Sequence, residues 1–331
     1  MKYRLLGSTG LRVSPLCFGT MSFGGDADAA TSAAMYRRCR EVGINFFDTA
    51  NTYQRGGAEE ILGGLIGAER HELVITSKCG FKMSDQPNDQ WLSRKNIVLS
   101  CEASLKRLKT DYLDLFFLHR FDPNAAMEDS LRALDDLRRA GKILYGAVSN
   151  WSAWQTMEGL ALAQQCGFAP VVCLQPMYSL LKRQCEVEIL PMARARNLGV
   201  ISYSPLAAGM LTGKFRQKPI AAGVRLADNK MYVARYSEES YLRDGNRFAD
   251  FAEKKGVPPA ALAVAWVMHH PAITAPILGA RNLEQLNGSL AALEVDMTPD
   301  GRAEISALTP TPPPATDRLE EVTGGSIGAY K

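Results

Sequence analysis

Eight short apolar runs, each followed by a stretch of helical spacing, constrain this chain more than any other feature. The runs cover residues 16–20, 44–50, 73–79, 112–119, 145–150, 171–175, 199–205 and 275–279. They are almost continuously apolar rather than alternating, the pattern of strands covered on both faces. Between them, helical periodicity fills 31–43, 58–66, 93–108, 127–140, 152–166, 184–197, 260–270 and 283–293. Thr31 or Ser32 suits the first helix as N-cap, Gly43 and Gly141 suit helix stops, and Pro258-Pro259 suits a first turn. A strand and a helix repeated eight times predict an α/β fold, the (β/α)₈ TIM barrel. An open doubly wound sheet would instead want a G-x-G-x-x-G loop after its first strand. The segment Phe18-Gly19-Thr20-Met21-Ser22-Phe23-Gly24-Gly25 does not fit it.

The chain has 331 residues, whereas about 250 suffice for such a barrel. The surplus falls in three places of a single domain spanning 1–331. Residues 1–15 read as an N-terminal β-hairpin turning at Gly7-Ser8-Thr9-Gly10, placed to plug the barrel's bottom. Residues 206–274 form a long loop/helix insertion between strands seven and eight, expected on the catalytic face. Residues 309–331 hold Pro310, Pro312, Pro313 and Pro314 and read as a C-terminal tail.

Charge and cysteines narrow the setting. A net charge of +3 without a dense basic run argues against nucleic acid as partner. The seven cysteines are scattered and form no C-x-x-C pair, which speaks against a disulfide framework and for a reducing cytoplasm. Residues 1–15 lack the apolar core of a signal peptide, and the most apolar region, 258–280, is broken by prolines and histidines. No membrane association is expected. Oligomeric state is not readable.

The apolar runs stop on polar residues. Asp48 lies in the second, Lys78 in the third and His119 ends the fourth; Ser149-Asn150, Gln175 and Tyr203-Ser204 mark the next three. Singly, each has an ordinary structural reading, as a cap, a solvated lysine or a satisfied core histidine. Together on the rim where barrels carry their chemistry, they read as a site. Tyr53 lies five residues past Asp48. Its hydroxyl, with a reference pKa of about 10, needs help to act as an acid. A nearby Lys78 ammonium would lower that pKa, Asp48 would hold Lys78 by an ion pair, and His119 would orient a substrate oxygen. Tyr203 offers a face for a flat ring, and Ser149, Asn150 and Gln175 could bond a carboxamide. Gly209 and Lys214 suit a pyrophosphate. Arg281, opening a helix after strand eight, suits a 2′-phosphate, favouring NADP over NAD, which stays possible. Phe23, Phe81, Trp91, Phe121, Tyr178 and Tyr232 are the expected substrate walls, with Met21 beside them.

These residues resemble the aldo-keto reductases. The matching motifs run in order: Leu6-Gly7-Ser8-Thr9-Gly10-Leu11-Arg12-Val13-Ser14, Phe47-Asp48-Thr49-Ala50 with Tyr53, Thr76-Ser77-Lys78, Leu118-His119-Arg120, Gly146-Ala147-Val148-Ser149-Asn150, Gln175-Pro176, and Tyr203-Ser204-Pro205-Leu206 through Gly213-Lys214. The sequence is similar to the branch holding bacterial sugar and aldehyde reductases and potassium-channel β subunits. The resemblance implies NAD(P)H-dependent reduction of an aldehyde or ketone, or the reverse, with Tyr53 as proton donor and Asp48, Lys78 and His119 completing a tetrad. It implies cofactor contacts from Gly19, Thr20, Met21, Asp48, Ser149, Asn150, Gln175, Tyr203, Ser204, Pro205, Leu206, Gly209, Lys214, Gly279, Arg281, Gln285 and Ser289. The chain departs from the family at Gly288-Ser289, where Glu-Asn is usual near the adenine, at Leu278, where proline usually precedes Gly279, and at Asn51, where an acidic residue is commoner.

Two other readings stand beside this one. Lys78 could be the nucleophile of a Schiff-base aldolase, although Asp48 beside it would keep it charged. A nucleotide-sensing module with slow turnover would use the same cofactor site. Only Asp48 and His119 could serve a metal at the strand ends, so no metal site is expected, and a glycosidase would lack its second carboxylate.

Overall fold

A computed structural model describes residues 1–216 and 225–319, without the side chains of 225 and 228. Part of the long stretch after strand seven (217–224) and most of the tail (320–331) therefore lie outside the described residues. Two short antiparallel strands, β1 (Arg4–Leu5) and β2 (Arg12–Val13), form the N-terminal hairpin. Eight parallel strands then close a barrel: β3 (Cys17–Gly19), β4 (Phe46–Asp48), β5 (Val74–Cys79), β6 (Leu113–Leu118), β7 (Ile143–Ser149), β8 (Cys173–Gln175), β9 (Gly199–Ser202) and β10 (Ala275–Leu278). Each pairs with the next, and β10 pairs back to β3. The fold is the (β/α)₈ barrel with its hairpin.

Helices fill the crossovers: α1 (Ala29–Glu41), α2 (Gly57–Ile66), α3 (Arg94–Leu108), α4 (Met127–Arg139), α5 (Ala153–Cys166) and α6 (Ile189–Ala195). Between β9 and β10 come α7 (Arg225–Asp228), α8 (Lys230–Arg235), α9 (Glu239–Lys254) and α10 (Pro259–Met268); α11 (Leu283–Leu290) and α12 (Pro299–Ser306) follow. From Ala261 to Met268, α10 is buried on every side, so it is the barrel's own crossover helix. The amphipathic α9 packs on α10 and on the 3₁₀ turn Ala207–Thr212.

Local chemistry explains where helix bounds differ from periodicity. Asp28, not Thr31 or Ser32, caps α1, its side chain accepting from Thr31 N. The stretch 184–197 is not one helix but a 3₁₀ turn, Gln184–Glu186, followed by α6. Pro191 has no N–H to give, so the helix can begin only just before it. Strand seven ends at Ser202, because Ser204 turns to a left-handed φ of 63°.

Strand parity sorts the side chains. On β5, Val74, Thr76 and Lys78 point into the barrel while Ile75, Ser77 and Cys79 face the helices; on β6, Leu115 and Phe117 point in and Phe116 and Leu118 out. The period of two carries Asp48, Lys78 and His119 to the inner face at the C-terminal end. The opposite end is stoppered by the hairpin. Leu6 and Val13 are fully buried in one interior cluster with Phe46, Leu115, Phe117 and Cys173. Gly7 makes this possible: its φ is +54°, and a Cβ there would lie 2.5 Å from Gly199 N.

Candidate active site

Lys78 is the hub of the mouth. Its Nζ lies 2.6 Å from Asp48 Oδ2, 2.6 Å from Thr49 O and 3.3 Å from Tyr53 OH. Asp48 Oδ1 accepts from Thr76 Oγ1 at 2.7 Å and from Gln175 Nε2 at 2.9 Å. Asp48 and Lys78 are buried and Tyr53 is half-buried. The turn after β4 is strained: Gln54 (φ 49°) and Arg55 (φ 52°) are left-handed, followed by Gly56 at 98°. Such a conformation costs about 1–2 kcal/mol per non-glycine residue, and it clusters at functional sites. Here it directly follows Tyr53.

Burial is the largest influence on Lys78 and favours its neutral form, but Asp48 and Tyr53 outweigh it and leave the pKa raised. The amine is therefore an ammonium. Tyr53 differs from the expectation of a lowered pKa. Burial pushes it up, Lys78 pulls it down, Asp48 pushes it up again, and the net direction is upward. The Asp48 carboxylate cancels much of what the ammonium offers, so the phenol holds its proton. His119 is pushed well below the usual histidine range by burial and then by Lys78. Its imidazole is neutral, and Nδ1 is buried without a hydrogen-bond partner. Its ring meets Phe81 edge-on at 4.6 Å and Tyr53 at 6.2 Å.

The expected cofactor residues lie around the same rim. Gly19 ends β3, and Thr20 Oγ1 bonds Asp48 O. Asn150 donates to His119 O and Ser149 Oγ, and its Oδ1 accepts from Tyr203 OH at 2.7 Å. Ser149 Oγ donates to Gln175 O. The nitrogens of Asn150 and Gln175 are thus already committed. Ser204, Pro205, Leu206 and Gly209 follow β9 through a strained run, with Ala207 and Ala208 also at positive φ. Lys214 folds back over Gly209, where a Cβ would come within 2.6 Å of Nζ. Past the neighbouring strand, β10, lie Gly279, Arg281 and Gln285, with Gln285 Oε1 accepting from Arg281 N. Ser289 sits on the buried face of α11 with Leu286 and Leu290. Met21 is exposed. Arg281 also holds a contact that the sequence does not announce, an ion pair with Asp26 at 3.1 Å. Lys214 and Arg281 thus follow two neighbouring strands, β9 and β10, on the rim that carries the hub.

Among the expected substrate walls, Phe81 meets the His119 ring and Tyr232 lies within electrostatic range of Tyr53. Trp91 stacks under Arg120, and Phe121 packs on Trp151 and Trp154. Two expectations are overturned. Phe23 is fully buried against Phe18 in the layer between barrel and helices. Tyr178 is fully buried too, its ring 5.1 Å from Trp266 and its hydroxyl held by Glu186 and Arg302. Neither can line a pocket.

The C-terminal rim of this α/β barrel thus gathers a charged lysine, a protonated phenol and a neutral imidazole. The model of the Aldo/keto reductase family matches residues 15–309. The chain is 36% identical to the "Uncharacterized oxidoreductase YrpG" of Bacillus subtilis (strain 168), covering 94% of this chain and 97% of that protein. It is 36% identical to a "Probable voltage-gated potassium channel subunit beta" of Oryza sativa subsp. japonica, covering 96% and 99%. A protein of the same description from Arabidopsis thaliana is 35% identical, covering 97% and 96%. The chain belongs to the aldo/keto reductase family, whose members generally use NAD(P)H. Among the described residues, no helix is long and apolar enough to cross a membrane, and no group of three or more His, Cys, Asp or Glu is placed to hold a metal.

Proposed function

We propose that the protein reduces an aldehyde or ketone with NAD(P)H, or runs the reverse oxidation, and that Tyr53 gives the proton. The observation that carries this is the Lys78 ammonium, 3.3 Å from Tyr53 OH and fixed by Asp48. A nicotinamide held by these residues would supply the hydride that the carbonyl carbon takes up. Negative charge then grows on the carbonyl oxygen, and Tyr53 transfers its proton there. Lys78 stabilises the phenolate left behind. His119, neutral and with an unpartnered Nδ1, orients the oxygen without competing as an acid. Tyr203 would carry the nicotinamide ring, Lys214 the pyrophosphate, and Arg281 a 2′-phosphate, which favours NADPH. The phosphate would have to displace Asp26 from Arg281. The substrate would meet Phe81, Trp91, Phe121 and Tyr232. We place the segment around α8 (Lys230–Arg235) beside the catalytic face, where Arg235 meets the Tyr203 ring, and the protein in the cytoplasm.

The test is Tyr53→Phe. Reduction of a carbonyl panel by NADPH should fall by at least about a hundredfold, while NADPH binding, followed by quenching of protein fluorescence, survives. Turnover within a few-fold of wild type would sink the assignment. The rice and Arabidopsis relatives are named as channel β subunits, and a nucleotide-sensing module with slow turnover is the second reading. Tight NADPH binding with negligible turnover across the whole panel would favour that role.

A further inference from the structure

Two arginines at the mouth lack the carboxylate partners that other arginines in this chain have. Arg70, Arg107 and Arg183 are each paired with an acid. Arg120, next to His119, instead lies 3.9 Å over Trp91 and 5.4 Å over Phe81. Arg235, on α8, lies 5.8 Å from the Tyr203 ring and 5.6 Å from the Tyr232 ring. Tyr232 and Tyr203 lie within electrostatic range of Tyr53, each resisting ionisation of the others. Arg235 is therefore at the reacting end of the site. Among the described residues, neither guanidinium has a carboxylate partner.

The nearby acids are already occupied. Asp48 belongs to Lys78. Asp122, two residues past Arg120, accepts from Leu92 N and Asn124 N, each at 2.9 Å. Glu238, three residues past Arg235, accepts from Tyr241 OH. Lys182, given to Tyr241 OH, lies over the Tyr236 and Tyr241 rings just past α8 and adds positive charge to this side. His119 is neutral and the Lys78–Asp48 pair cancels. The substrate end of the mouth is thus left with two guanidiniums that have no ion-pair partner among the described residues, held by aromatic faces and placed to fork onto an anion.

We propose that the physiological substrate is a carbonyl compound bearing a carboxylate or phosphate, and that Arg235, assisted by Arg120, binds that anionic group. This rests on the carbonyl-reductase reading. The anion is unchanged in the reaction, with hydride added to carbon and a proton to oxygen. The test compares kcat/KM for para-carboxybenzaldehyde against its methyl ester, and for para-formylphenyl phosphate against para-methoxybenzaldehyde. At low salt, wild type should prefer one charged member by about tenfold or more, and salt should erode the preference. Whichever pair shows the larger ratio identifies the anion. R235Q should cut that ratio at least about fivefold, and R235K should keep most of it, which separates charge from packing. R120Q should cut it by less. A wild-type ratio near one overturns the inference and leaves the reductase reading intact, as does an R235Q variant that weakens NADPH binding but keeps the ratio. Failure to turn over any carbonyl defeats the reductase reading itself. Binding of the unreactive terephthalate, followed by calorimetry, then decides the anion site: binding weakened by R235Q supports it, and no binding overturns it.

Discussion

The Lys78–Asp48 pair gives the sharpest quantitative expectation. Lys78 is fully buried and Asp48 is 2% exposed, with 2.6 Å between Nζ and Oδ2. Lys78→Met leaves the carboxylate with two neutral donors, Thr76 and Gln175. Breaking one partner out of a buried pair costs about 3–5 kcal/mol, most of it the uncompensated charge. Unfolding entropy near 60 °C is about 2.1 cal/mol/K per residue, so 331 residues give about 0.7 kcal/mol/K. The expected fall in Tm is therefore about 4–7 °C for Lys78→Met, and about the same for Asp48→Asn, which strands the ammonium. The double variant removes both charges. It should lose less than the sum by about 2 kcal/mol. Calorimetric Tm values and urea midpoints of all four proteins provide the cycle. Additivity within about 0.5 kcal/mol, or a loss below about 1 kcal/mol for Lys78→Met, would refute the reasoning that the two charges sustain each other.

Three further expectations follow from the geometry. His119 has a lowered pKa in the folded protein, so its stability contribution is complete above about 6.5 and is lost as pH falls towards the folded value; His119→Gln should flatten the decline of the urea midpoint across that acid range, and parallel curves for both proteins would contradict it. Leu6→Ala empties the hairpin's stopper and should cost about 2–5 kcal/mol in denaturant titrations. Asp26→Ala frees Arg281 and should tighten NADPH binding several-fold by fluorescence titration while moving NADH little; equal shifts for both would remove Arg281 from the 2′-phosphate.

The eightfold strand-and-helix pattern was legible because strands buried on both faces must be apolar throughout. The polar stops at Asp48, Lys78 and His119 stood out against that background, and their shared side of the barrel follows from a period of two. Phe23 and Tyr178 misled because aromatic type says nothing about direction, and both rings turn into the helix layer. The sign of the Tyr53 shift depends on burial against two opposing charges, which spacing does not encode. The left-handed turn at Gln54 and Arg55 carries no signal in residue type, since neither is glycine. Asp26 and Arg281 meet only through the barrel's closure. The cap of α1 was readable: Asp28 stands three residues before Thr31, the usual spacing of an N-cap to the amide it satisfies.

The hairpin stopper also imposes an order on how the chain must assemble. Leu6 and Gly7 seat against Gly199, and Tyr145 OH donates to Thr9 O. The hairpin is made before the barrel strands and therefore has no resting place until β9 has been synthesised. Until then Leu6 and Val13 stay uncovered, and a half-made barrel is open at its base. Long-range closure of this kind slows folding and exposes apolar surface to aggregation. Changes in the hairpin would therefore burden this docking step before they disturbed the mouth at the opposite end.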